Sequence, residues 1–315
     1  MSKQPAPRYM GGQAVVEGVM MRGPGTWAVA VRTPEGEIEL EVNEAPRWAE
    51  RYAGFPFVRG ITTLGESLSL GFKALSWSAN RQVPEEERLS SGAMGWTVAV
   101  ALVVFSAIFL VLPALAVRGV GNRIGATGVW SHVAEGAFRL ALFIGYIVAI
   151  GQLKDIKRVF QYHGAEHKAI AAYENEVELS PESAQQFTTE HVRCGTNFLL
   201  TVMVVAIVVY SAFGRPALPL LILSRVVMIP VIAGASYEII RFAAGHMQWR
   251  WVRVLMKPGL WLQRLTTRQP SIDQLEVAIA SLRAVMTAEQ LAAVETRVGR
   301  RRYAVPSPDP ALGTA

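Results

Sequence analysis

The stretch 96-WTVAVALVVFSAIFLVLPALAV-117 holds no charged side chain in 22 residues. At about 1.5 Å of rise per residue it would make a helix of roughly 33 Å. That is enough to cross a hydrocarbon layer of about 30 Å. Three more runs follow it: 137-AFRLALFIGYIVAIGQL-153, 198-FLLTVMVVAIVVYSAF-213 and 219-PLLILSRVVMIPVIAGASY-237. Arginine interrupts the first and the last of these, yet each is otherwise apolar. A soluble core rarely supplies four such helices, so the chain reads as mainly α, a polytopic membrane protein with about four transmembrane helices. Composition agrees. Apolar residues make up 51% and charged residues 18%, whereas a soluble domain carries about 25% charged.

Basic residues near the ends of the runs set the orientation. Lys73, Arg81 and Arg88 precede the first run, Lys154, Lys157 and Arg158 follow the second, and Arg241, Arg250, Arg253 and Lys257 follow the fourth. Only Arg118, Arg123 and Arg215 lie at the opposite ends. This bias predicts a multi-pass protein of the cell (inner or plasma) membrane, with both termini and the 154–197 loop in the cytoplasm. The opening MSKQPAPRYMGGQ has no apolar stretch behind its charges, so the first span is expected to direct its own insertion. A net charge of +6 suits an inner face set against anionic lipid. No Lys/Arg run is dense enough to suggest nucleic acid as a partner. The expected partners are the lipid bilayer and membrane proteins, a second copy included. The sole cysteine, Cys194, excludes an internal disulfide, and a cytoplasmic thiol stays reduced.

Around the spans the chain divides by composition. Residues 1–56 read as a small cytoplasmic β unit, in which GGQAVVEGVMMRGP precedes a hairpin, 27-WAVAVRTPEGEIELEV-42, with Pro-Glu-Gly in its turn. Its paired glycines lack the GK[ST] ending of a phosphate loop and read as turn residues. Residues 57–95 hold an amphipathic helix, its stripe made of Val58, Ile61, Leu64, Leu68, Phe72 and Leu75, and then a polar linker. That helix is expected at the membrane interface, with packing on the β unit as the alternative. Residues 96–153 carry transmembrane helices 1 and 2, 154–197 a cytoplasmic helical loop, and 198–243 helices 3 and 4. In 244–286, Trp249, Trp251 and Trp261 among Arg250, Arg253, Lys257 and Arg264 form an aromatic, basic interface belt. A helix then opens on a capping box, Ser271 to Gln274. A shorter helix is expected from Thr287, in a segment 287–315 that otherwise reads as a tail. Two charges inside apolar surroundings also stand out. Glu17 is expected to pair with Arg22 as a structural salt bridge. Arg225 is expected to snorkel at the outer interface of a fourth span starting near Ser224 and ending at Phe242, with Glu238 and Arg241 near its cytoplasmic end.

The loop between the second and third spans carries the chemistry. Its segment 160-FQYHGAEHKAIAAYE-174 is expected to continue the second span as one helix. Positions 163, 167, 170 and 174 then share one stripe, with 166 beside it. Imidazoles at i and i+4 can chelate one ion at about 2 Å. HGAEH also has the H-x-x-E-H order of the inverted zinc peptidases, in which the glutamate is the general base. His163 and His167 are therefore candidate metal ligands and Glu166 the candidate catalytic residue. Glu174, two turns on, is a candidate further ligand. Downstream, 191-HVRCG-195 offers His191 and Cys194 at a three-residue step. Two histidines at this spacing also occur on ordinary polar helix faces, and a lone cysteine is commonly a small buried hydrophobe. The clustering of three histidines and the only cysteine within 163–194 favours a metal, zinc being the expected ion for imidazole and thiolate. Four protein ligands would close the site into a structural one; an open position would make it hydrolytic.

These segments resemble a known family. GGQAVVEGVMMRGP, FPFVRG…SLSLGFKAL, YHGAEHKAIAAYE, HVRCGTNFLL, RVVMIPVIAGASYEIIRFA and MKPGLWLQRLTTRQPSIDQLEVAI are similar, in order from residue 9 to about 285, to the YqhQ-like family. Its members are bacterial and plastid membrane proteins of unknown function, often described as predicted metal-dependent enzymes. The resemblance implies membrane location and a metal site, and it names no substrate. The leading expectation is a zinc-dependent membrane protein, in its sharpest form a hydrolase. The alternative is a non-enzymatic membrane biogenesis or scaffold factor associated with the protein-insertion machinery, whose metal fastens the loop. A transporter ranks third, since charges within the spans are few and no repeat-related broken helices are evident.

Overall fold

The computed structural model describes residues 10–124, 129–191, 194–212 and 217–294. At the N-terminus β1 (Gly11–Val15), β2 (Gly18–Arg22), β3 (Thr26–Arg32) and β4 (Ile38–Glu44) form an antiparallel meander in that spatial order. The β3–β4 hairpin turns through Gly36, whose φ of +91° needs a residue without Cβ. Helix α1 (Val58–Asn80) covers one face, where Leu70 and Ala74 join Val15, Val29 and Val31. Of the two placements weighed for this helix, packing on the β unit is the observed one, and its other side leaves Ile61 and Leu68 exposed. Glu17 and Arg22 do not pair with each other. Glu17 sits in the β1–β2 turn and pairs with Arg158, while Arg22 pairs with the buried Glu66 of α1. The strand carries Arg22 towards α1 and the turn aims Glu17 the other way, so neighbours in sequence point to different helices.

The first span runs through α2 (Ser91–Ser106), a π-helical turn (Ala107–Val111) and α3 (Leu112–Ile124). Next come α4 (Val129–Ile150), the connecting helices α5 (Lys154–Glu174) and the short α6 (Pro181–Gln185), and α7 (Gly195–Ala212). The fourth span is α8 (Leu218–Val227) followed by α9 (Ile229–Gly245), with Pro230 at the break. Four helical stretches, 92–120, 133–150, 195–212 and 219–245, are long and apolar enough to cross a membrane. Amphipathic α10 (Arg250–Thr266) and α11 (Ile272–Ala284) follow, the expected capping box at Ser271–Gln274 is present, and the expected shorter helix after Thr287 is seen over 288–294. Of the expected tail, residues 295–315 lie outside the described residues. Helices α5 and α11 cover the second face of the sheet, where Tyr162, Ala165, Leu275 and Leu282 pack on Val19, Met21, Ala28 and Ala30. The sheet is therefore the middle layer of a helix–sheet–helix sandwich. Arg59 of α1, paired with Glu238 of α9, ties that sandwich to the fourth span.

Two further expectations are corrected. Helix α5 does not continue the second span: the chain breaks at Gly151–Leu153, where Leu153 turns extended as the N-cap. Nor does Arg225 snorkel. Its helix begins at Leu218 rather than Ser224, which places it about 10.5 Å along the helix from that start. It is 2% exposed and donates to Glu135 Oε2 at 2.8 Å, while Arg139 donates to Glu135 Oε1 at 2.7 Å. Arg139 Nε also donates to the Phe109 carbonyl at 2.8 Å, within the π-helical turn. Such a turn frees a carbonyl that hydrocarbon cannot satisfy, and the arginine supplies the donor. The Arg225 guanidinium lies 3.7 Å from the Tyr210 ring centroid. Glu135 thus joins the second span to the fourth, and Arg139 carries the network to the first. Glu135→Ala would leave two buried cations sharing no anion, and breaking a buried pair costs about 3–5 kcal/mol. Thermal unfolding in detergent should show that loss, with Glu135→Asp milder.

Candidate metal centre

Helix α5 is two-faced. Ala165, Ala169 and Ala172 press into the core, and His163 and His167 stand one turn apart elsewhere on its surface with ring centroids 4.5 Å apart. Gly164 between them explains itself, since a Cβ there would lie 2.1 Å from the Arg268 carbonyl. Without a side chain the segment after α10 crosses α5 at contact, and Arg268 N donates to the Phe160 carbonyl at 2.9 Å. That crossing brings the Thr266 carbonyl 2.8 Å from His163 Nδ1. On the other side the buried Lys168 donates to the Gln185 and Phe187 carbonyls at 2.7 and 2.6 Å. It pulls the chain beyond α6 back along α5, so the Thr189 carbonyl lies 2.5 Å from His167 Nδ1. A carbonyl can only accept, so in the neutral ring each histidine places its proton on Nδ1 and keeps the Nε2 lone pair. Second-shell carbonyls orient metal-binding histidines in this way.

Cys194 arrives just before α7. Its Sγ lies 3.2 Å from His163 Nε2, and Thr196 N donates to it at 3.4 Å. One ligand atom from each of His163, His167 and Cys194 lies within 4.8 Å of the others. His191 and Glu174 stand beside this group rather than in it. The His191 ring centroid is 5.6 Å from that of His167, and His191 Nε2 faces Glu174 Oε2 at 3.4 Å. The His191 backbone is clamped by Gln263 of α10, which accepts from its N–H and donates to its carbonyl, both at 2.8 Å. Lys168 and Gln263 were not singled out from the sequence. A lysine adjoining a histidine motif on an otherwise alanine-rich helix was the available signal; Gln263 offered none.

Burial sets the charges. It pushes His167 down to about 3, helped by His163, so the imidazole is neutral as a ligand must be. Burial also lowers His191 and raises the Cys194 thiol, against which the Thr196 hydrogen bonds pull back. Glu166 is 6% exposed and rises to about 8, chiefly through burial, with His163 opposing and Cys194 adding to the shift. No hydrogen-bond donor among the described residues meets its carboxyl group. A bound cation would pull this group back towards the ionised form. His163, Glu166, His167 and Cys194 line a pocket of about 580 Å³ whose opposite wall is the backbone of β1, Gly11 to Ala14. A larger hollow of about 670 Å³ beside Lys73 and Trp77 has neither histidine nor cysteine in its lining.

A family described as "Protein of unknown function (DUF1385)" matches residues 55–288. The chain is also 34% identical over 307 residues to "Uncharacterized protein YqhQ" of Bacillus subtilis (strain 168), covering 92% of this chain and 96% of that one. No solved structure matches.

Proposed function

The chain belongs to the DUF1385 family of proteins of unknown function, and we propose that this member is a metal-dependent hydrolase of the membrane. The observation that carries the reading is the convergence of three donors, His163, His167 and Cys194, on a pocket that also holds Glu166, whose carboxyl group meets no hydrogen-bond donor among the described residues. Three protein ligands leave a fourth position for water, the pattern of catalytic rather than structural zinc. Imidazole and thiolate favour zinc. When bound, the metal supplies a Lewis acid that makes its water a nucleophile near neutral pH. The protein's part follows from its own groups. His163 and His167 offer Nε2, each aimed by a backbone carbonyl. Cys194 gives up its thiol proton on ligation. Glu166 takes a proton from the attacking water and returns it to the leaving group. The test is to screen purified protein, stripped and then reloaded with zinc, against amide and ester probes. Metal-dependent turnover that Glu166→Gln abolishes supports the reading; metal-bound protein inert to both probe classes overturns it.

A second reading has its own support. His191, held by Gln263 close to His167, would close a four-ligand site after a modest rotation, and the metal would then fasten the loop of a membrane biogenesis or scaffold factor. Both readings place the loop in the cytoplasm, because the basic residues crowd that end of the spans. With Cys194 buried, a thiol at the exposed Glu182 gives a clean topology probe. Glu182→Cys should resist an impermeant maleimide in intact cells and react after permeabilisation. Labelling of intact cells would reverse the orientation.

A further inference from the structure

We propose that the substrate is an extended polypeptide segment that adds as a fifth strand to the free edge of β1, beside the metal centre. The inference rests on the hydrolase reading and names its substrate class.

The register supplies the first observation. Arg32 N donates to the Glu17 carbonyl at 2.9 Å, and this pair continues the ladder in which Gly18 stands opposite Val31. Hydrogen-bonded residues alternate along an antiparallel pair. On β2, Val19 and Met21 therefore bond to β3, while Gly18, Met20 and Arg22 bond to β1. Their partners are Val15, Gln13 and Gly11. The N–H and C=O groups of Gly12 and Ala14 consequently point away from the sheet. Val16, next in that outward row, spends its N–H on Ser78 Oγ at 3.3 Å. Among the described residues nothing bonds the outward groups of Gly12 and Ala14. The row is four groups long and repeats every two residues, about 6.8 Å. Another extended backbone is what complements it.

Second, among the described residues this edge is unguarded. Natural edge strands are blunted by proline, lysine, bulges or an overlying loop. The β1 sequence GGQAV has no proline and no charge, and Gly11 and Gly12 are exposed. Third, the edge touches the chemistry. A Cβ on Gly12 would lie 3.0 Å from Glu166 Cγ, so a strand laid on Gly12 and Ala14 runs past the carboxyl group and the two histidines. Fourth, among the described residues the pocket lining contains no lysine or arginine to meet a phosphorylated substrate or lipid headgroup. The step balances as amide hydrolysis. Water oxygen bonds to the carbonyl carbon, the C–N bond breaks, and one water proton passes through Glu166 to the departing nitrogen, giving a carboxylic acid and an amine.

Ala14→Pro is the discriminating variant. It removes one outward N–H and fills the edge, and it leaves the ladder bonds of Gln13 and Val15 in place. The assay uses the full chain in detergent, zinc-loaded, with a mixed-sequence quenched-fluorescent peptide library. We expect wild type to cleave the library and Ala14→Pro to lose about three- to tenfold in kcat/KM, the worth of one hydrogen bond, with zinc content unchanged. Independently of turnover, adding the library to zinc-loaded Glu166→Gln protein should slow hydrogen exchange at Gly12 and Ala14 at least about tenfold. Cleavage by wild type that is equally fast in Ala14→Pro, or exchange at Gly12 and Ala14 unaffected by peptide, overturns strand addition and leaves the hydrolase reading standing. Turnover of esters alone overturns strand addition in the same way, and no turnover of any probe removes both. Exchange protection without added peptide that rises with protein concentration identifies β1 as a dimer edge and overturns the proposal.

Discussion

His163→Ala and His167→Ala should each reduce bound metal from about one ion per chain to background. Changes to groups that merely orient a ligand cost about 10–100-fold in metal affinity, so removal of a ligand must cost more. Zinc bound by a full shell is held by roughly 10–16 kcal/mol. Shared among the four donors of such a shell, that is about 2.5–4 kcal/mol each, or about a hundredfold in affinity per donor. The loss is compounded because the surviving histidine was positioned for a chelate: His163 and His167 hold their Nε2 atoms by way of separate carbonyls, Thr266 and Thr189. Metal analysis after gel filtration reads the outcome. His191→Ala, on the hydrolase reading, should keep most of its zinc, since His191 stands outside the group of three. Acid should strip metal too. His167 has its folded-state value depressed to about 3 from an ordinary 6.5, so the unfolded chain takes up a proton first as pH falls. The stability this imidazole contributes is complete above about 6.5 and is lost on the way to 3.

Glu166→Gln should retain zinc and slow hydrolysis by about 10²–10⁴-fold, the usual worth of a general base. It should not unfold the protein, and the sign can be worked out. The folded-state value of Glu166 is raised from 4.5 to about 8 in the metal-free site. Such a group contributes stability below 4.5 that is lost as pH rises through 8, because the buried carboxylate must then ionise. Glutamine keeps the shape without that ionisation, so metal-free Glu166→Gln should match or exceed wild type in thermal stability at pH 8. Cys194→Ser makes the contrast. On the scaffold reading it is the damaging change, since binding energy in a closed shell is folding energy, and Glu166→Gln is then harmless. Full activity in Glu166→Gln would end the hydrolase reading.

The spans were legible because hydrocarbon imposes one requirement, an uncharged helix of about twenty residues. The charges inside them were misread because each was judged with its local neighbours. Arg225 looked like an outer-interface residue until Glu135, ninety positions earlier, was found against it. Glu17 and Arg22 failed for the same reason in reverse: proximity in sequence suggested a pair that the turn geometry separates. The histidine pair was visible from its i, i+4 step, a local rule. The selection of Cys194 over His191 was not, because it depends on how Lys168, Gln263 and the Arg268 crossing fold a loop back on α5. The open edge of β1 was hidden as well, since GGQAV reads alike in a central strand and in an edge strand.

The most direct measurement is zinc K-edge X-ray absorption on purified wild-type protein with metal content determined on the same sample. The account predicts about one zinc per chain, with one sulfur at about 2.3 Å and the remaining ligands nitrogen or oxygen at about 2.0–2.1 Å. Cys194→Ser should lose the sulfur shell. Absence of bound metal, or a zinc shell without sulfur, would contradict a centre built from His163, His167 and Cys194.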